Sequence, residues 1–148
     1  MRPCVTTGLV ISLVLSTACA TARGTIAPSG RASESATLAQ IYFWRAKPGK
    51  VADYTRYVRE VAEPIDDEAQ RSGAFVSVTT YQSADSTVPW THMRIFLLRD
   101  SAQWRGLGPA LAAAGARLEP DSVRRRERSA YSASLRDPAG SALVRLVR

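Results

Sequence analysis

His92 is the only histidine in the chain, so any imidazole chemistry has to run through it. It sits in Trp90–Arg99 (WTHMRIFLLR), where alternate positions are apolar. A lone histidine in such a setting is ordinarily a hydrogen-bonded packing residue, and its functional use would be as a general base. Four aromatic residues, Tyr42, Trp44, Tyr81 and Trp90, are spaced so that they can line an aromatic cleft, with Arg94 holding an anionic group. The competing expectation is aromatic packing within a core. Glu60, Glu63, Asp66, Asp67 and Glu68 crowd one stretch. They spread around a helix instead of converging on a histidine, so a solvated face is expected and a metal site is not. The dense basic run Arg124, Arg125, Arg126 and Arg128 reads as alternating across a strand, where it would protect an exposed edge or pair with that acidic stretch. Nucleic-acid binding is not expected of it.

Several chemistries lack their local signatures. The sequence has no P-loop, no G-x-G-x-x-G, no G-x-S-x-G and no H-E-x-x-H. Nucleotide-dependent, serine-hydrolase and zincin mechanisms therefore have no motif to rest on. The 148 residues allow one compact domain, and 45% hydrophobic with 22% charged residues is an ordinary globular balance. The net charge of +7 comes almost wholly from arginine, since only Lys47 and Lys50 are lysine. The arginines are scattered from Arg2 to Arg148, so the charge attracts anions in general and names no partner.

Both cysteines, Cys4 and Cys19, fall in the first twenty residues, which have the form of an export signal. Met1-Arg2 supplies a short positive start, and Gly8 to Leu15 an apolar core too short for a permanent membrane span. Leu15-Ser16-Thr17-Ala18-Cys19 resembles a bacterial lipoprotein box, with Ser16 where leucine is preferred. Acylation of Cys19, and membrane attachment through it, is expected; cleavage to a periplasmic or secreted protein at Ala18-Cys19-Ala20 or Ala20-Thr21-Ala22 is the alternative. Either route leaves no intrachain disulfide and no thiol chemistry in the mature protein. Residues 21–37 are small, polar and broken by Gly24, Pro28 and Gly30, as in a flexible tether.

Residues 38–148 form the expected domain. Leu38 to Lys47 is rich in β-formers and has apolar residues on both faces, so it reads as a strand buried on both sides. Pro48-Gly49-Lys50 turns the chain. Apolar residues at 51, 54, 58, 61, 65 and 69 then predict a helix over 51–72, with Pro64 forcing a kink near Val61 or a break. Ala74 to Ser83 and Trp90 to Arg99 read as further strands, and Pro109 to Leu118 as a helix preceded by a short piece capped by Asp100-Ser101. A fourth strand is expected within Val123 to Leu135, and Asp137-Pro138-Ala139-Gly140 is expected to be a turn before a short tail.

The resulting order is βαββαβ, the split βαβ arrangement of ferredoxin-like α+β domains, with a four-stranded antiparallel sheet and both helices on one face. With Arg45-Ala46-Lys47-Pro48-Gly49-Lys50 leading into a helix at Val51-Ala52-Asp53-Tyr54, the chain resembles the opening of dimeric α/β-barrel domains, the superfamily of the antibiotic-biosynthesis monooxygenases. The resemblance implies a homodimer in which two sheets pack into a barrel, and a small-molecule cleft between each sheet and its helices. Members in places use a histidine as a haem ligand, but the surroundings of His92 do not match that use, and no cofactor is expected.

Two functions follow as expectations. The first is a non-catalytic dimer that binds a small apolar or aromatic ligand. The second is a cofactor-independent monooxygenase-like enzyme acting on a phenolic substrate, which requires His92 or a tyrosine within reach of a cavity.

Overall fold

A computed structural model describes residues 35–147. The export signal, Cys19 and most of the tether lie outside the described residues. The chain runs β1 (Leu38–Ala46), α1 (Val51–Tyr57), a wide π turn (Val58–Ala62), α2 (Glu63–Arg71), β2 (Ser77–Gln82), β3 (His92–Leu98), α3 (Ser101–Leu118), α4 (Ser122–Leu135) and β4 (Arg136–Arg145). The strands form one antiparallel sheet in the order β2-β3-β1-β4. This is the ferredoxin-like topology, in which each crossover returns to a parallel strand with one antiparallel strand between.

Local chemistry accounts for most boundaries. Lys47 to Lys50 closes a turn in which the Lys50 amide donates to the Lys47 carbonyl at 2.9 Å, with Pro48 second and Gly49 third at a φ of 73°. That positive φ is what a type II turn demands and what glycine supplies without strain. Pro64 has no amide hydrogen to give the Glu60 carbonyl, and its ring would press on that carbonyl. The turn just before it, Val58–Ala62, widens accordingly, at the place where the sequence predicts the kink. The Asp100 carboxylate accepts from the amides of Ala102 and Gln103 at 2.8 and 2.9 Å and starts α3. That helix is continuous through Pro109.

The last third of the chain departs from the sequence reading. Val123 to Leu135 is not a strand; Ser122–Leu135 is helix α4. Asp121 caps it by accepting from the Val123 amide at 2.7 Å, and its Arg, Glu, Ala and Leu content favours a helix. The basic run therefore does not alternate across an edge strand. Arg128 pairs with Glu119 at 3.0 Å, Arg125 donates to the carbonyls of Glu119 and Pro120, and Arg124 lies 3.9 Å from Asp121. The fourth strand comes afterwards and contains Asp137 to Gly140, the segment expected to turn. β4 is an edge strand, where Pro138 removes no ladder bond that the sheet needs, and its register shifts opposite Phe43 and Trp44.

The register fixes which side chains share a face. Leu38, Gln40, Tyr42 and Trp44 pair with Leu98, Phe96, Arg94 and His92, and the last three of these in turn with Val78, Thr80 and Gln82 on β2. On β3, His92, Arg94, Phe96 and Leu98 are buried while Met93, Ile95 and Leu97 between them are only half-buried. All helices therefore cover one face. There Phe96 and Leu98 pack with Phe75, Ala69, Leu107 and Ala114, and a second cluster joins Ala46, Tyr54, Val58 and Leu135. The other face presents Ile41, Phe43, Met93, Ile95, Leu97 and Val144 with no helix over it.

Candidate functional site

His92 projects under the helices at the start of β3, against α1. Its Nε2 lies 3.0 Å from the Thr55 hydroxyl and its Nδ1 3.0 Å from the Thr91 hydroxyl, and the Tyr54 ring meets it edge-on at 4.6 Å. The Thr55 hydroxyl has one hydrogen and two acceptors within reach, the Val51 carbonyl at 2.9 Å and the Gln82 amide oxygen at 3.0 Å. It is satisfied if His92 donates Nε2–H to it. Thr91 then donates to Nδ1 while accepting from the Ala46 amide at 2.7 Å. A neutral imidazole fits this network, and burial pushes the His92 pKa down from 6.5. His92 itself lines neither the cleft described below nor the open groove beside α1, although its partner Thr55 lines that groove with Val51, Arg59 and Gln82.

Arg94 is the next helix-facing residue of β3, and its guanidinium is already engaged. It makes a buried salt bridge to Asp66 on α2, and its Nε donates to the Thr80 hydroxyl at 3.2 Å. Asp66 is 2% exposed and Arg94 8%. Asp66 therefore departs from the solvated face expected for the acidic stretch; Glu60, Glu63 and Asp67 are exposed as expected, and Glu68 pairs with Arg71 and Arg117. Burial pulls the Arg94 guanidinium below its ordinary pKa, and the fields of Tyr54 and Glu63 push it back up. An arginine whose charge is met inside the fold is not available to an incoming anion.

The four aromatic candidates do not form one cleft. Tyr42 and Trp44 lie on the helix side, stacked with centroids 5.7 Å apart. Tyr81 pairs with Met93, which places it on the opposite face, 47% exposed. Trp90 packs on Phe43, also of that face, with centroids 5.8 Å apart. The cause is the period of two: one step along a strand changes the face, and only the register says which aromatic residues meet.

One cleft lies among the helices. It is open, with a volume of about 580 Å3. Val61, Ile65 and Leu111 give it an apolar wall, and Tyr57 an aromatic one. Opposite them, α4 and the start of β4 contribute Arg125, Arg128, Ser129, Ser132 and Arg136. Val61 lies in the wide turn at Val58–Ala62, the irregularity that Pro64 imposes. Irregular helical turns of this kind often sit at functional sites. Arg136 is the member that sequence reasoning missed. Its guanidinium carbon lies 4.6 Å from the Trp44 ring centroid and 5.4 Å from that of Tyr54, and its Nε donates to the Ser132 hydroxyl at 3.2 Å. Burial drives the Tyr54 hydroxyl up to about 12, so it stays protonated beside this cation. Arg136 could have been flagged only by placing 122–135 in a helix, which sets Arg136 one turn beyond Ser132. No group of three or more His, Cys, Asp or Glu able to hold a metal ion occurs among the described residues.

No family model matches the chain, and no curated protein matches it. Among solved structures, HapK from Hahella chejuensis aligns with a TM-score of 0.50 at 11% identity, over 74% of this chain and 92% of its own. A protein from Shewanella loihica PV-4 described as a "putative monooxygenase" aligns with a TM-score of 0.47 at 13% identity, over 76% of this chain and 96% of its own. A dimeric ferredoxin-like protein from an uncultured marine organism gives 0.48 at 9% identity, over 79% and 92%. At such identities the likeness to HapK bears on the fold alone.

Proposed function

We propose that this chain is an exported small-molecule-binding protein that works as a homodimer, held at a membrane through Cys19, and that its ligand has an apolar or aromatic body. The observation that carries the binding reading is the open cleft of about 580 Å3 with its wall of Tyr57, Val61, Ile65 and Leu111. A cleft of that size and lining suits a small organic ligand. The enzymatic reading, a monooxygenase-like reaction on a phenol, needs a base facing a cavity. His92 has both ring nitrogens bonded to threonine hydroxyls and does not line the cleft that carries the binding reading, and the Tyr54 hydroxyl is raised to about 12. The geometry thus favours binding over catalysis.

The homodimer rests on the uncovered sheet face. Ile41, Phe43, Met93, Ile95, Leu97 and Val144 make it apolar across three strands, which is more than a monomer ordinarily leaves in water. The address rests on the sequence of the first nineteen residues. Among the described residues no helix is long and apolar enough to cross a membrane.

Untargeted mass spectrometry of small molecules that co-purify with the native protein tests the binding reading. A molecule of apolar body, lost when Ala112 in the cleft wall is changed to Trp, is the expected result. Purification with nothing bound, and no thermal shift from any member of an apolar ligand panel, would defeat it.

A further inference from the structure

We propose that the ligand of this cleft is an apolar carboxylate, with Arg136 as the residue that receives its head. The inference rests on the binding reading above and adds the chemical class. Three arginines line the cleft; Arg128 is neutralised by the Glu119 carboxylate at 3.0 Å, and Arg125 is tied through its Nη1, at 2.8 and 2.7 Å, to the Glu119 and Pro120 carbonyls of the backbone that leads into α4. Arg136 has no carboxylate partner among the described residues; its neighbour Asp137 lies against Lys47, at 3.9 Å. No acidic residue lines the cleft to take up its charge.

The way Arg136 is held makes this vacancy specific. A guanidinium has five N–H donors in one plane and two faces that donate nothing. Trp44 and Tyr54 lie within cation–π range of it, and contact through a ring face uses no hydrogen. Ser132 takes the Nε hydrogen, which fixes the rotation of the plane. The Nη hydrogens are left with no acceptor among the described residues, in a half-buried group held by two rings and a hydroxyl. That in-plane edge matches the two oxygens of a carboxylate, and the usual entropic cost of fixing an arginine is already met by the fold. Arg94 cannot serve instead, because Asp66 occupies it. A ligand with its carboxylate on Arg136 would lay its body toward the wall formed by Val61, Ile65 and Leu111.

The test is calorimetric titration of the full chain with 2-naphthoate and 2-naphthamide, which share a body and differ in charge, and with decanoate as an aliphatic carboxylate. The expected result is that 2-naphthoate binds at least tenfold more tightly than 2-naphthamide. In R136Q that preference should vanish, with 2-naphthoate falling to the affinity of 2-naphthamide for the same variant, and in R136K, which keeps the charge but not the planar fork, it should be intermediate. Decanoate binding comparable to 2-naphthoate would assign the body as aliphatic or aromatic alike, within the same class. Equal affinity for the two naphthalenes, or an undiminished preference in R136Q, overturns the assignment of Arg136 and leaves the binding reading standing. Binding of none of the three probes overturns both. Far-UV circular dichroism and melting of each variant are read first. If R136Q does not fold, R136K decides: a preference as large as in the parent removes the planar fork, and with it the proposal.

Discussion

Arg94 and Arg136 show how two arginines that each lie against aromatic rings, Arg94 against Phe96 and Arg136 against Trp44 and Tyr54, come to opposite uses. Arg94 is buried and finds Asp66, and a buried pair of this kind is strongly destabilised, by about 3–5 kcal/mol, when one member is removed. Arg136 is half-buried and finds rings and a hydroxyl instead of an acid. His92 belongs with Arg94 as a residue bound into the fold. Its folded pKa lies below 6.5 because burial disfavours the imidazolium. The unfolded chain therefore takes up a proton near pH 6.5 that the folded chain resists. The stability His92 contributes is fully present above that pH and is lost as the pH falls below it. Thermal melts between pH 8 and pH 5 are expected to show a falling midpoint below about pH 6.5. In H92Q the slope in this window should be shallower, and an identical slope would assign the effect elsewhere. Asp85, whose carboxylate is held below its ordinary 3.8 by hydrogen bonds from Thr87, acts only at lower pH and does not confuse the reading.

Among the elements, α4 matters most, because it supplies one wall of the cleft and hands the chain to β4 at Arg136. Most of its residues are exposed, with Ser132 and Leu135 buried. Intrinsic propensity and its cap therefore carry an unusual share of its stability. Asp121 accepts from the amides of Val123 and Arg124, at 2.7 and 3.4 Å. D121A is expected to cost about 1 kcal/mol in urea unfolding, within the range found for lost N-caps. It should also raise hydrogen exchange at the start of α4 without disturbing β1 or β3. An effect spread over the whole sheet would mean that the helix is held by packing and not by its cap. On the other side of the cleft, Pro64 sets the wide turn that carries Val61. The two walls thus owe their shape to one proline and one capping aspartate.

For the molecule as a whole, the question is what covers the second face of the sheet. A two-fold pairing of that face with a copy of itself would bury more than the ~1,200 Å2 usual for a specific interface and would satisfy a row of half-buried apolar residues at once. Sedimentation equilibrium of residues 33–148 at micromolar concentration should return a dimer, and I95D, at the middle of the face, should return a monomer. A parent chain that is monomeric would take the barrel reading down. The address is tested separately. The wild type is expected in the membrane fraction and the C19A variant in the soluble one. A wild type that is already soluble, with its N-terminus at Ala20, Thr21 or Arg23, would mean that an ordinary signal peptidase removes the segment.

The sequence by itself determined the strand β1, the kinked helix after it, the two middle strands and the ferredoxin-like order, because each rests on a local signal: alternation, a 3.6-residue period, a Pro-Gly turn, a capping aspartate. It also determined that His92 stands alone on a strand with buried alternate positions. It failed where local signals were weak or misleading. An arginine-rich run satisfies a strand pattern as readily as a helix pattern, so the sequence suggests a strand where α4 lies, and Pro138 and Gly140 hide the true edge strand. Only the tertiary structure decided which aromatic residues meet, since a pairing register is a relation between distant strands and a shift of one residue exchanges the faces. The same holds for the arginines. All carry the same charge in the sequence, and what separates Arg94 from Arg136 is that folding brings an aspartate 28 positions away to one and none to the other.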